Sequence, residues 1–293
     1  MLVNTDDGRA AGDAGTGRDG RMMARTPGHS DGTVGKALDV LEAVAAIGRP
    51  VRFSELLADG RWPKATLYRL LQTLVSQGML AHDEAAGTYS LGIRLIRLAH
   101  RAWAQASLAP IARPHIDALS QRLGETVHLA QLDAGQVLYV DKRNARAPIS
   151  MFSDAGKVGP SYCTGVGKAM LAFLPEPELA EALARQSFHR HTACTITSAA
   201  ALRRELDTIR AEGIAFDREE HEPGIICVAA PILGADRRAL GALSVTSSTM
   251  RHSLDDLAGY APELRRTAAA IAAEAQPWAF PRAVTATRSA RSH

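Results

Sequence analysis

The clearest chemistry in this sequence lies on one helical surface. In KATLYRLLQTLVS the residues Leu67, Leu70, Leu71, Leu74 and Val75 recur three and four apart and form one apolar stripe. The face opposite carries Lys64, Ala65, Thr66, Tyr68, Arg69, Gln72, Thr73 and Ser76. No carboxylate occurs between Arg61 and Gly78. Two cations, short hydroxyls, an amide and a phenol can approach a polyanion without repulsion and can donate to phosphates and base edges. An ordinary solvated face of a small helical subdomain, the plainer reading, does not need that selection.

A second set of groups lies much further along the chain. Ser244 and Thr246 alternate within a run of strand type, so both hydroxyls point to one face. Gly165 and Gly167 stand just ahead of a helical stretch, where free N–H groups attract an anion. GVGK is not a nucleotide-binding loop, because Tyr162 occupies the position of the first required glycine and Ala169 follows the lysine where Ser or Thr is needed. No G-x-S-x-G occurs, which leaves a serine hydrolase without a nucleophile elbow. His189, His191 and Cys194, and the run Glu219 to Glu222, read as polar turns and a charged loop, so no metal and no cofactor is expected. Asp217 and Cys227 could serve as acid and nucleophile, but no histidine has a spacing that recommends it as their base. They read either as ligand contacts or as a buried thiol with a turn-capping carboxylate. A small-molecule-processing enzyme with an accessory helical domain is thus the alternative to a DNA-binding protein.

These groups need elements to position them. Around the helical surface, a short helix after Phe53 is expected to be capped by Ser54, with Glu55 in its first turn. Pro63 suits the first position of the next helix. Met79 to His82 and Thr88 to Leu91 read as strands closed by a polar turn through Asp83 and Gly87. Helix, turn, helix and hairpin make a winged helix-turn-helix whose second helix enters a major groove. Ser54, Lys64, Ala65, Thr66, Tyr68 and Arg69 are its expected DNA contacts. A supporting helix runs from Val34 and buries Val34, Leu38, Leu41, Val44, Ala45 and Ile47 before stopping at Gly48. Leu91 to Ala106 continues as a long helix with Leu91, Leu95, Leu98, Ala102 and Trp103 along one side, a stripe that calls for a second copy or for its own domain.

Beyond Leu108, helical and strand patterns mix. A helix from Ile111 to Leu123 precedes a hairpin of Thr126 to Leu132 and Val137 to Asp141. Helices follow at Gly167 to Phe173, Glu176 to Gln186 and Ala199 to Glu212, then strands at Ile225 to Leu233 and Leu240 to Ser247, and a last helix from Leu254 to Ala275. The expected class is therefore α+β in two domains, with a sheet flanked by helices that can hold a small ligand. The expected boundaries are 1–32 for a disordered tail, 33–91 for the winged helix, 92–107 for the linker helix, 108–276 for the ligand domain and 277–293 for a second disordered tail.

Composition limits what else the chain can be. At 293 residues it suits two cores, and 46% apolar with 22% charged residues is ordinary for a globular protein. A net charge of +3 is too small to argue for nucleic acid by itself. Between Gly60 and Ala106, however, Arg61, Lys64, Arg69, Arg94, Arg97 and Arg101 face only Asp83 and Glu84, so the positive field is local. Three scattered cysteines give no disulfide framework, and no run has membrane-span or signal-peptide character. A cytoplasmic protein is expected.

In this order the motifs KALDVLEAVA, WPKATLYRLLQTLVSQGML, YSLGIRLIRLA, GETVHLAQLDAGQVLYVDK, CTGVGKAMLAFLP, ELDTIRAEGIAFDREEHEPGIICVAAPIL and GALSVTSS resemble the IclR family of bacterial transcriptional regulators. The resemblance spans about Val34 to Gln276. It implies a winged helix, a dimerising linker helix and a GAF-like effector domain, acting as a dimer or dimer of dimers on a near-palindromic operator in double-stranded DNA. Carried over by motif, the effector contacts would be the backbone of Gly165 and Val166 with Asp217, Cys227, Ser244 and Thr246. The second hydroxyl is Thr246 where several relatives have Ser. The implied effector is a small carboxylate. The stretch from Met151 to Met170 looks closest to members handling sugar acids such as 2-keto-3-deoxygluconate, with Met151 and Tyr162 shaping the pocket.

Overall fold

A computed structural model describes residues 32–275, so both expected tails lie outside the described residues. The chain forms two compact units that divide between Leu95 and Ile96. In the first, α1 (Thr33–Ile47), α2 (Phe53–Ala58) and α3 (Lys64–Ser76) pack around Val40, Val44, Leu56, Leu67, Leu71 and Trp62. Beside them β1 (Val51–Arg52), β2 (Leu80–Asp83) and β3 (Thr88–Leu91) form an antiparallel sheet in the order β1-β3-β2. The wing turn is pinned by Asp83, whose Oδ1 accepts the N–H groups of Ala85 and Ala86 at 3.0 and 3.1 Å.

Four details of this unit differ from the sequence reading. The N-cap of α2 is Arg52, whose N–H donates to Glu55 Oε2 at 2.9 Å, so Ser54 is an exposed helical residue and not the cap. Pro63 is the N-cap of α3 and not its first helical residue. In α1 the buried side is Val40, Leu41, Ala43 and Val44, whereas Val34, Leu38, Ala45 and Ile47 are exposed. Strand β1 was not foreseen, because two residues carry no periodicity.

Glycine at position 92 is required by packing. A Cβ there would overlap the backbone of Gly78 and Met79, where Gly92 N–H bonds Met79 O at 2.8 Å and the wing hands over to α4 (Ile93–Ala106). Arg94 secures the same corner by donating to Gln77 O and Oε1, each at 2.9 Å. Along α4, Leu95 is half-buried against the first unit, while Ile93, Ile96 and Leu98 are exposed. The side chain of Trp103 lies outside the described residues.

The second unit is an antiparallel sheet of six strands between two helical layers. Its strands are β4 (Thr126–Asp133), β5 (Gln136–Arg143), β6 (Val158–Gly159), β7 (Ala215–Arg218), β8 (Ile225–Leu233) and β9 (Ala239–Ser248), in the order β6-β5-β4-β9-β8-β7. On one face α5 (Ala109–Leu123), α9 (Leu254–Ala258) and α10 (Ala261–Ala275) cover Val127, Leu129, Val228, Ile232, Leu243 and Val245. On the other lie α6 (Gly165–Leu171), α7 (Glu176–Ala184) and α8 (Ala199–Glu212). The expected single helix from Leu254 is broken, because it stops at Gly259 and α10 restarts with Pro262 in its first turn. Strands β6 and β7 also escaped the sequence reading, being short and of mixed polarity.

Gly92→Ala is expected to destabilise the first unit by about 2 kcal/mol or more, since both clashing partners are backbone. Chemical denaturation followed through Trp62 fluorescence checks this, and an unchanged midpoint would contradict it.

Candidate functional site

Two surfaces collect the candidate residues. On α3, Lys64, Ala65, Tyr68, Arg69, Gln72, Thr73 and Ser76 are exposed, and Thr66 is half-buried. Leu67, Leu70, Leu71 and Leu74 anchor the helix from beneath. Lys64 and Arg69 make no ion pair among the described residues, whereas nearby Arg49 and Arg61 are committed to Glu55 and Asp59. Two uncommitted cations therefore lie on the outward face of α3. Tyr68 is 57% exposed and meets Phe53 edge-to-face, their centroids 6.4 Å apart, so its ring has a fixed orientation. Ser54 lies at the start of α2, outside this helix.

The second surface is a cavity in the sheet's other face. Antiparallel register creates it: Asp217 pairs with Cys227, Cys227 with Thr246, and Thr246 with Thr126, which sets one row across β7, β8, β9 and β4. The next row on that face is Ala215, Ala229, Ser244 and His128. The alternating residues Phe216, Val228, Val245 and Val127 turn to the apolar core instead. Polar residues thus face α6, whose first turn holds Gly165, Val166 and Gly167 after the N-cap Thr164. The two glycines are inside the helix and not ahead of it. A Cβ at Gly165 would collide with Cys227 Sγ, and one at Gly167 with the backbone of Ser161, so the helix can approach the sheet only with these residues bare.

All six expected effector contacts, Gly165, Val166, Asp217, Cys227, Ser244 and Thr246, line this one cavity of about 30 Å³, together with His128, Tyr139 and Met151. Tyr162 does not line it; it is buried, and its hydroxyl donates to His189 O at 2.7 Å. The sequence reading missed His128, Phe152, Ser153, His221 and Glu222, all of which contribute to the wall. The one available signal was a histidine flanked by Val127 and Leu129 in a strand, two residues from both Thr126 and Ala130. The stretch Glu219 to Glu222 is more than a charged loop: Glu220 is buried, and His221 and Glu222 face the cavity.

The floor is polar but uncharged. His128 Nε2 lies 2.8 Å from Ser153 Oγ, and its Nδ1 lies 3.3 Å from Thr246 Oγ1 and 3.4 Å from Ser244 Oγ. Burial, with Lys142 nearby, lowers the His128 pKa to about 3, so the ring is neutral. Asp217 is 6% exposed, and its Oδ1 accepts the N–H of Glu220 at 2.7 Å. Burial first, then the charge of Glu220, raises its pKa to about 7. Behind it Lys168, fully buried, donates to Glu220 Oε1 at 2.5 Å and to Glu205 Oε1 at 3.2 Å. Burial also pushes the Cys227 thiol up, which removes it as a nucleophile.

Known proteins share this architecture. The profile described as "Bacterial transcriptional regulator IclR C-terminal" matches residues 100–273, and that of the IclR helix-turn-helix domain matches 33–84. The HTH-type transcriptional regulator KdgR of Escherichia coli (strain K12) is 32% identical over 83% of this chain and 93% of its own length. The crystal structure of the Thermotoga maritima IclR superposes with a TM-score of 0.69 at 30% identity, covering 83% of this chain and 98% of that one. An IclR homolog of Microbacterium hydrocarbonoxydans, complexed with 4-hydroxybenzoate, shares the fold with a TM-score of 0.72 at 23% identity, covering 83% and 98%.

Asp217 binds a proton on folding wherever the pH lies between its ordinary 3.8 and about 7. The stability of the neutral carboxyl is fully present below the lower value and is lost as pH rises through the upper one. Asp217→Asn should therefore raise the unfolding midpoint at about pH 8 by at least about 2 °C, and change it little at about pH 4. Equal midpoints at the higher pH would show that the ionised carboxyl is not disfavoured.

Proposed function

The chain belongs to the IclR family of bacterial transcriptional regulators, which bind DNA and are not enzymes, and from that premise we propose that it represses a catabolic operon in response to a small organic or sugar acid. Membership in a family of regulators sets the enzyme alternative aside. The observation that carries the effector half of this reading is the convergence of Gly165, Val166, Asp217, Cys227, Ser244 and Thr246 on one buried polar cavity. Hydroxyls and backbone N–H groups of that kind suit a carboxylate with neighbouring hydroxyl or keto oxygens.

On the DNA side, Lys64, Thr66, Tyr68 and Arg69, with Ser54 and Ala65 beside them, contact the duplex. The support is an exposed α3 face whose cations are uncommitted and which carries no acid. The protein acts as a homodimer, or a dimer of dimers, on a near-palindromic operator, joined in part through the exposed Ile93, Ile96 and Leu98 of α4. Among the described residues no helix is long and apolar enough to cross a membrane, which agrees with a cytoplasmic regulator. The acid must prefer one of two arrangements of the dimer, since a ligand of equal affinity for both shifts nothing.

Arg69→Ala should weaken binding to the protein's own upstream DNA roughly tenfold and flatten its salt dependence. Mobility shifts across a salt series check this, and an unchanged slope would remove Arg69 from the interface. Asp217→Ala should abolish the response to candidate acids in the same assay while DNA binding persists. A full response in that variant would take Asp217 out of the effector site.

A further inference from the structure

The cavity presents an unusual charge problem to an anionic ligand. Among the described residues no Lys or Arg lines it. Of its ionisable groups, His128 on β4 is held neutral among three hydroxyls. Glu222 accepts the N–H of Phe152 at 2.9 Å and lies 3.6 Å from His221 Nδ1, so any positive charge on His221 is already answered. Tyr139 on β5 and Cys227 on β8 are both pushed upward by burial and stay protonated. The remaining wall group is Asp217 on β7, nine-tenths buried, whose one side-chain hydrogen bond among the described residues is from Glu220 N–H to Oδ1.

The cations behind the wall are spent. Lys168 of α6 is committed to Glu220 and Glu205, and Arg218 of β7 donates to Glu205 Oε1 of α8 at 2.9 Å. Glu220 and Glu205 thus share the cations Lys168 and Arg218, and Asp217 has no ion pair among the described residues. Lys142 and Lys157 are turned to Asp154 and to the backbone of Ser153 and Phe152. A carboxylate entering this site meets hydroxyls and two carboxyl groups, Asp217 and the Glu222 already paired with His221, and no Lys or Arg among the described residues. Two carboxylates in contact cannot both be ionised in a desolvated site, and the stable arrangement has them share one proton.

We infer that the cavity's ligand is a monoanionic acid that enters together with one proton, held between its carboxylate and the Asp217 side chain, and that dianionic acids are refused. This rests on the effector reading above and adds to it the charge class of the ligand. Below the point where Asp217 ionises, its carboxyl is ready as a donor. Above it, one proton must come from solvent for each ligand bound. A second anionic group, such as a phosphate or a second carboxylate, finds neither a cation nor a spare proton.

The test is isothermal calorimetry on the full-length protein with gluconate, 2-keto-3-deoxygluconate and 4-hydroxybenzoate as monoanions, and with 6-phosphogluconate and succinate as more highly charged partners. Each titration is run in two buffers of different ionisation enthalpy. With Asp217 titrating at about 7, the dissociation constant of a bound monoanion should rise roughly thirtyfold from about pH 5.5 to about pH 8.5. Proton uptake should rise from near zero to near one over the same range. Asp217→Asn supplies a neutral donor at every pH, so its affinity should be flat and its proton uptake absent. Binding of a monoanion at about pH 8.5 with no proton uptake, pH dependence that survives in Asp217→Asn, or 6-phosphogluconate binding as tightly as gluconate would each overturn the inference while leaving the effector reading standing. If no monoanion binds even at the lower pH, the effector reading itself falls and takes the inference with it.

Discussion

The register of one antiparallel sheet sets everything else in the second unit. Because side chains alternate across a strand, pairing Asp217 with Cys227 and Cys227 with Thr246 decides at once which residues face α6 and which enter the apolar core. A slip of one residue in β9 would bring Val245 to the cavity and Thr246 against α10. The core prevents this, since Val127, Val228 and Val245 are fully buried in one row. Burying three such side chains contributes on the order of several kcal/mol, far more than the hydroxyl contacts on the other face. The apolar side thus fixes the geometry of the polar side, and the polar side can vary without loss of the fold.

What keeps α6 against that polar face is a different kind of interaction. Every residue of α6 is buried, including Lys168, whose desolvation is offset only by its contacts with Glu220 and Glu205. The arrangement ties α6, α8 and the loop after β7 together directly behind Asp217. It also has a defect: Glu220 Oε2 is buried without a partner among the described residues. Such a network is sensitive to charge, because removing one member leaves the others unpaired in a dry site. The protonation state of Asp217 is therefore coupled to the packing of α6, through Glu220, without any direct contact between Asp217 and Lys168 being required.

Much of this was legible in the sequence, and the limits have physical causes. Long periodic segments carried their own signal: α8 and β8 run over Ala199–Glu212 and Ile225–Leu233, the ranges their patterns indicate. The hairpin between β4 and β5 was marked by Ala134-Gly135, both at positive φ. Short strands such as β1, β6 and β7 had too few residues to show a period, so Asp217 could be named by motif but not placed on a strand edge beside Cys227. His128 was missed because its role comes from cross-strand pairing with Ser244, more than a hundred residues away, which no local pattern contains. Ser54 was assigned a cap by residue type, whereas Glu55 satisfies the helix start through the Arg52 backbone.

The two surfaces make unequal demands on the chain, and this favours the second copy proposed above. On α3 only Lys64 and Arg69 are uncommitted cations, and a duplex contact made by so few charges is weak at physiological salt. Base contacts from one short helix add a few kcal/mol at most, which does not separate an operator from a genome of competing sites. Joining two such heads makes the second contact intramolecular and multiplies the selectivity of each. On the proposed dimer, the exposed Ile93, Ile96 and Leu98 of α4 would belong to the recognition apparatus, because a single reading face has the right chemistry and too little of it. On the proposed mechanism, a ligand that shifts the pairing equilibrium by about 1.4 kcal/mol changes its constant about tenfold, which is the size of coupling the polar cavity has to supply.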